Sequence, residues 1–268
     1  MDRAAPDPLT AIRARIDAID EAMHRLLIDR SSVIAELIRI KGTSKPGAAF
    51  RPDREADMMR RIVARHDGEL PLATVEHIWR EIITTFTAMQ APFAVAAGPA
   101  RDALAMRDVV RFYFGFSVPV EQAKTNDAAI ATVARSKKAV AVIAAQSKGR
   151  WWAKLLGANA PKVFARLPFI ESPDRPADLP AYVVGPPLKQ NFAPDIRLFA
   201  VKATPKLKVA ATSFGGALLG RAADEALVAL PVATEISELA EAAKFRAKTA
   251  RDVGGYFQPI RLVAERVA

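Results

Sequence analysis

The chain contains no cysteine. That excludes a disulfide framework, a thiolate nucleophile and any thiolate-ligated metal. Histidine is almost as scarce: His24, His66 and His77 stand apart, without the close spacing that ligands to one ion require, so no metal is expected. No run of about 18 apolar residues occurs, which argues against a membrane-spanning helix. The opening MDRAAPDPLT lacks the basic-then-apolar order of a secretory leader. The expectation is a soluble, cytoplasmic protein with no membrane partner. There is also no internal repeat and no low-complexity tract; the proline-rich ESPDRPADLP reads as a loop.

What remains is an ordinary globular composition, 51% hydrophobic and 25% charged over 268 residues, enough for two domains with buried cores. The formal net charge of +10 is unevenly placed. Residues 1–92 carry 14 of the 39 basic and 14 of the 29 acidic residues, so 25 basic and 15 acidic residues fall in 93–268. The whole excess lies in the second part. A boundary is therefore expected near QAPFAVAAGPAR, where Pro92 and Gly98-Pro99 also interrupt helix. The expected domains are 1–92 and 100–268.

The first part reads as three helices. Apolar residues recur at helical spacing over 9–41 and stop at Gly42, giving a helix of roughly 50 Å. Pro52 opens a second helix, with acids in its first turn and Asp67-Gly68 closing it. A third spans Pro71 to Ala91, with Val75, Ile78, Trp79, Ile82, Ile83, Phe86 and Met89 on its apolar side. Two shorter helices cannot cover the first one, so its stripe of Ile16, Ile19, Met23, Leu26, Val33, Ile34 and Leu37 predicts a homodimer.

From residue 100 the pattern changes to α/β. RFYFGFSVPVE, KAVAVIAA, AYVVG, IRLFAVKA and LKVAAT read as strands; DAAIATVARS and ISELAEAAKFRAKTARDV read as helices. The predicted fold is multi-domain: an all-α three-helix N-terminal domain followed by an α/β domain.

The steps of the first helix's stripe also land on two cations, Arg30 and Lys41. A buried charge without a partner costs several kcal/mol or more, so these side chains either reach water or meet an anion. Eleven residues apart, they share a face about 16 Å apart. Arg13 lies roughly 100° off that face and too far along the axis, so it can serve the same site only from a partner chain. Arg54 and Glu55 at the start of the second helix and Gln90 on the third complete a set of cations, one carboxylate and one amide. Such a set suits a small molecule with two or more carboxylates, which arginine binds bidentately.

The pattern LTAIRARIDAIDEAMHRLLIDRSSVIAELIRIK, RPDREADMM and HIWREIITTFTAMQ resembles the all-helical chorismate mutase family, in order and close to its spacing, over about residues 8–91. The resemblance implies an intertwined helical dimer in which Arg13 of a partner and Arg30 bind the substrate carboxylates. It implies that Lys41 and Gln90 donate to the ether oxygen and that Glu55 holds the ring hydroxyl beside Arg54. No cofactor is implied. Two positions depart from the family pattern and alter the pocket lining: Arg51, where aspartate is frequent, and Phe86, where serine is common. Isochorismate pyruvate lyases share the fold and most of these residues. They lack a carboxylate at the position of Glu55 and tolerate a bulky residue at that of Phe86, so Glu55 points to the mutase and Phe86 to the lyase.

The second part resembles a prephenate dehydratase with an ACT-like tail in KAVAVIAAQSKGRWW, VFARLPFI, DIRLFAVKA and RDVGGYFQPIRL. The family's glycine-rich entry is eroded, and DIRLF has no threonine before Arg197, so the expectation is a degenerate, noncatalytic domain. A rival reading is a noncatalytic module binding a polyanion or regulating a partner, although nucleic acid is not the expected ligand. Trp151-Trp152 beside Arg150 and Lys154 reads as core packing ahead of base stacking. FGGALLGR reads as a glycine-rich run between a strand and a helix, without P-loop or dinucleotide spacing.

Overall fold

The computed structural model describes residues 7–41, 50–136, 138–173, 175–188 and 192–262. Packing separates residues 1–44 from residues 45–268. The first unit is one helix, α1 (Pro8–Lys41), within a residue of its expected bounds. Most of its stripe is bare: Ile16, Ile19, Met23, Leu26 and Val33 are each more than half exposed, while Ile34 and Leu37 are half-buried.

The second unit opens with α2 (Pro52–Arg65), which has proline in its first turn and Asp53 and Glu55 facing the helix N-terminus. It buries Ala56, Met59 and Ile62. Helix α3 (Leu72–Gln90) follows and packs on α4 (Ala103–Phe114). Its buried side only partly matches the apolar side expected, since Ile83 and Phe86 are buried and Val75 and Trp79 pack against the core. Ile78 and Met89 are 43% and 49% exposed, whereas Glu76, Arg80, Thr84 and Thr87 are buried together with Ile83 and Phe86. The rotation has a polar cause, since this face meets partners on α4: the Thr84 hydroxyl donates to the Tyr113 carbonyl at 3.0 Å, and Glu76 accepts from the Tyr113 hydroxyl at 2.9 Å.

Strand β1 (Ala94–Ala97) precedes α4, and helix gives way to sheet where the sequence placed a boundary. Packing does not break there, because α3 lies on α4. RFYF, the start of the run RFYFGFSVPVE expected as strand, is instead the last turn of α4, while the end of that run does form strand. Asp102 caps α4, accepting from the Leu104 and Ala105 amides, and Met106, Val109, Val110 and Tyr113 recur at helical spacing on the buried side. Gly115 ends it at φ +63°, where an added Cβ would strike the Glu81 carboxylate on α3.

The chain then forms β2 (Val120–Gln122), α5 (Asn126–Ser136), β3 (Ala139–Ala144), β4 (Lys162–Leu167), β5 (Ile170–Glu171), β6 (Ala181–Gly185), β7 (Ile196–Lys202), α6 (Leu207–Ser213), β8 (Ala217–Ala222), β9 (Glu225–Pro231), α7 (Ile236–Ala243), β10 (Arg251–Tyr256) and β11 (Ile260–Arg261). Among the described residues, nine strands make one mixed sheet in the order β2-β1-β3-β6-β4-β10-β7-β9-β8; β5 and β11 pair separately, in parallel. β2, β1 and β3 are mutually parallel, and the β7, β9, β8 end is antiparallel. Strand β3 is buried on both faces. Its pleat sends Val140, Val142 and Ala144 towards α4, and Ala139, Ala141 and Ile143 towards α5 and the two tryptophans.

LKVAAT, expected as strand, is helix α6, which buries Leu207, Ala210 and Ala211 at helical spacing. FGGALLGR therefore runs from a helix into a strand, the reverse of the order expected. Gly216 is needed there for close packing, since a Cβ would meet the Ala229 carbonyl at 2.3 Å. ISELAEAA is helical as α7, but RDV begins β10. No described helix is long and apolar enough to cross a membrane.

Candidate functional site

The expected site residues fall on three helices. On α1, Arg13 is exposed and Arg30 half-buried. Lys41 is the last residue of α1, and its side chain lies outside the described part of the structure.

On α2, Arg51 and Arg54 are exposed. Arg51 donates to both Asp53 oxygens, at 3.2 and 2.9 Å, and that bond holds the Asp53 carboxyl below its usual range. Arg51 thus sits at the surface against a neighbouring carboxylate. Glu55 points the other way. Its Oε2 accepts from Arg80 Nη1 at 3.3 Å, with 30% of the side chain exposed. Burial pushes its carboxyl above the usual range; the Arg80 charge opposes that push and Asp53 adds to it.

On α3, Gln90 is half-buried and donates to the Phe86 carbonyl one turn earlier, at 3.1 Å. Phe86 is buried, as a core residue would be. Glu55 and Arg80 border a cavity of about 60 Å³, whose walls include six phenylalanines together with Arg166. Gln90 and Phe86 are not among its described walls.

Sequence reasoning missed a cluster beneath Glu55. Arg80 Nε faces Glu76 Oε1 at 4.0 Å, and its guanidinium lies over the Tyr113 ring, 4.9 Å from the centroid. Glu76 also accepts from Arg175 Nη2 at 3.1 Å. Tyr113 accepts from the Phe169 amide at 2.8 Å, and burial pushes its hydroxyl far above the usual range. Arg175 further donates to the Ile170 carbonyl. One local signal was available: Glu76 and Arg80 stand four apart on the helix whose apolar stripe was followed instead.

The other candidates resolve as structure. Trp151 and Trp152 are buried edge to face, and the Trp152 indole donates to Glu225 at 2.9 Å. His77 packs on Phe112, with its Nδ1 near that residue's carbonyl. Among the described residues no cluster of three His, Asp or Glu side chains could hold a metal ion.

Residues 12–91 match the chorismate mutase type II family. That segment holds all eight residues singled out above, from Arg13 to Gln90. Three curated relatives, each named a bifunctional chorismate mutase/prephenate dehydratase, are similar. The protein of Stutzerimonas stutzeri is 34% identical over 34% of this chain, that of Pseudomonas aeruginosa 32% over 35%, and that of Neisseria gonorrhoeae 33% over 36%. The matches span about a quarter of those relatives, 26%, 27% and 26% respectively. A solved quorum-quenching acylase, GqqA, superposes with a TM-score of 0.35 and 14% identity, over 61% of this chain and 94% of that one, a likeness too loose to carry fold or function.

Proposed function

We propose that this protein is a chorismate mutase, rearranging chorismate to prephenate for aromatic amino acid synthesis in the cytoplasm. The match of residues 12–91 carries the reading, because it covers the segment that holds the two arginines, the lysine, the carboxylate and the amide to which the resemblance assigns the site. The reaction breaks an ether C–O bond as a C–C bond forms in the same molecule, so no nucleophile, proton transfer or cofactor is required. A protein accelerates it by holding the folded conformer and by opposing the negative charge that develops on the ether oxygen.

In this reading Arg30, with Arg13 from the second copy of a homodimer, binds the two carboxylates. Lys41 and Gln90 donate to the ether oxygen, the substrate replacing the Phe86 carbonyl as acceptor of the Gln90 amide. Glu55 accepts from the ring hydroxyl, and Arg54, Arg51 and Phe86 shape the surroundings. The bare apolar stripe of α1 supports the dimer, since so long an exposed patch is unusual in a monomer. The family and the names of the relatives favour the mutase over the isochorismate lyase and over a noncatalytic module.

The α/β part we read as noncatalytic. Supporting this, Arg197 is engaged with Asp252 at 3.2 Å and stacked on Phe199 at 4.7 Å.

The test incubates the purified protein separately with chorismate and isochorismate and separates the products by chromatography. Prephenate alone, from chorismate alone, is expected. Phenylpyruvate would overturn the noncatalytic reading of the α/β part; salicylate and pyruvate from isochorismate, with chorismate turned over poorly, would reassign the chain as a lyase. Lys41→Ala and Gln90→Ala should each cost about 10²-fold or more in rate. Near-normal turnover by both would remove their assigned roles.

A further inference from the structure

From the geometry beneath Glu55 we infer that Arg80 is a positioning residue for the mutase carboxylate, held in place by Glu76, Arg175 and Tyr113, so that the α/β part supports the mutase site. This rests on the function proposed above. The four charged side chains alternate in sign, Glu55, Arg80, Glu76, Arg175, and three of them are at least nine-tenths buried. Arginine is suited to the central place because its planar fork can meet two carboxylates and stack on a ring together. Arg80 hydrogen-bonds Glu55 at 3.3 Å, stacks 4.9 Å from the Tyr113 centroid, and faces Glu76 at 4.0 Å as an ion pair without a hydrogen bond from Nε.

The consequence for Glu55 is geometric and electrostatic. Its Oε2 is tied to Arg80, while Oε1 has no described hydrogen bond and is left to accept one from a substrate hydroxyl. Among the described residues, the charged groups near it include Arg80 on α3, Asp53 on α2 and Arg166 on β4, with the Tyr113 hydroxyl on α4. Arg80 lies within hydrogen-bonding distance of the half-buried carboxyl, and its charge opposes the effect of burial there. Arg80 is itself fixed from beyond the helical segment, because Glu76 is gripped by Tyr113 of α4 and by Arg175 of the loop between β5 and β6.

The test follows the Glu55 side-chain carboxyl by ¹³C NMR in the full chain, its resonance assigned by its loss in Glu55→Gln. In Arg80→Gln the Glu55 titration should move up by at least about one pH unit, and the acid limb of kcat/KM for chorismate should move with it. Arg175→Gln should shift it the same way by less. Arg80→Lys, which keeps the charge but not the fork, should fall between wild type and Arg80→Gln, and it carries the test if the glutamine variant does not fold. An unmoved Glu55 titration in a cooperatively folded Arg80 variant overturns the inference. A moved titration in a protein that never turns over chorismate overturns the mutase reading instead.

Discussion

At the residue scale, the clearest pH-dependent contact does not involve the candidate site residues. Glu225 accepts from Arg150 at 2.6 and 2.8 Å and from the Trp152 indole at 2.9 Å, and the bonds from Arg150 hold its carboxyl below the usual range against the opposing effect of burial. A carboxyl with a depressed folded pKa binds fewer protons folded than unfolded just below its ordinary value. It therefore adds stability at neutral pH that is lost as pH falls through the folded pKa. Arg150 is half exposed, so solvent screens much of the pair. Glu225→Gln should lower Tm by roughly 2–4 °C at pH 7, the gap closing below about pH 4. Thermal unfolding of both proteins across that range decides it, and a gap independent of pH would mean that the carboxylate charge contributes nothing. Arg30 and Gln90 stand out in sequence because a polar residue on an apolar helix needs a reason, and Glu55 stands out through the family resemblance. Arg80 does not, since its partners Glu76, Tyr113 and Arg175 converge only in three dimensions.

At the element scale, periodicity found α1, α2 and α3 to within about two residues. It failed where composition and spacing disagreed. RFYF is largely aromatic, yet it continues a helix that Asp102 caps and whose burial repeats at helical spacing, so tertiary packing overrode β-propensity. LKVAAT failed likewise: Leu207, Ala210 and Ala211 pack as a short helix against β9. The stripe of α1 makes a prediction of its own. Ile19 and Leu26 are 57% and 67% exposed, so Ile19→Glu or Leu26→Glu replaces a largely exposed side chain. If the stripe is the seam of a dimer, either change should lower the mass measured by light scattering towards that of the monomer, with helicity retained. A wild-type monomer, or variants that remain dimeric, would remove the seam.

At the scale of the whole molecule, the buried ion pair between Glu76 and Arg175 joins the helical segment to the sheet. Their side chains are 1% and 2% exposed, and the residues stand 99 apart in sequence. Sequence could place a change of character near residue 92, where charge balance and periodicity shift, but a pair so distant leaves no local pattern. Burying two ions is expensive, and their attraction with the added hydrogen bonds roughly repays it; removing one partner leaves the other charged and dry. Arg175→Met should therefore cost about 3–5 kcal/mol in urea unfolding of the full chain, and Glu76→Leu a similar amount. The double variant should cost far less than the sum, because neither charge is then left unpaired. Additive losses would mean that each side chain is held by its other contacts, Arg175 by the Ile170 carbonyl and Glu76 by the Tyr113 hydroxyl. Strong coupling would mean that α3 and the sheet are stabilised as one cooperative body, the condition under which the α/β part can set the position of a carboxylate on α2.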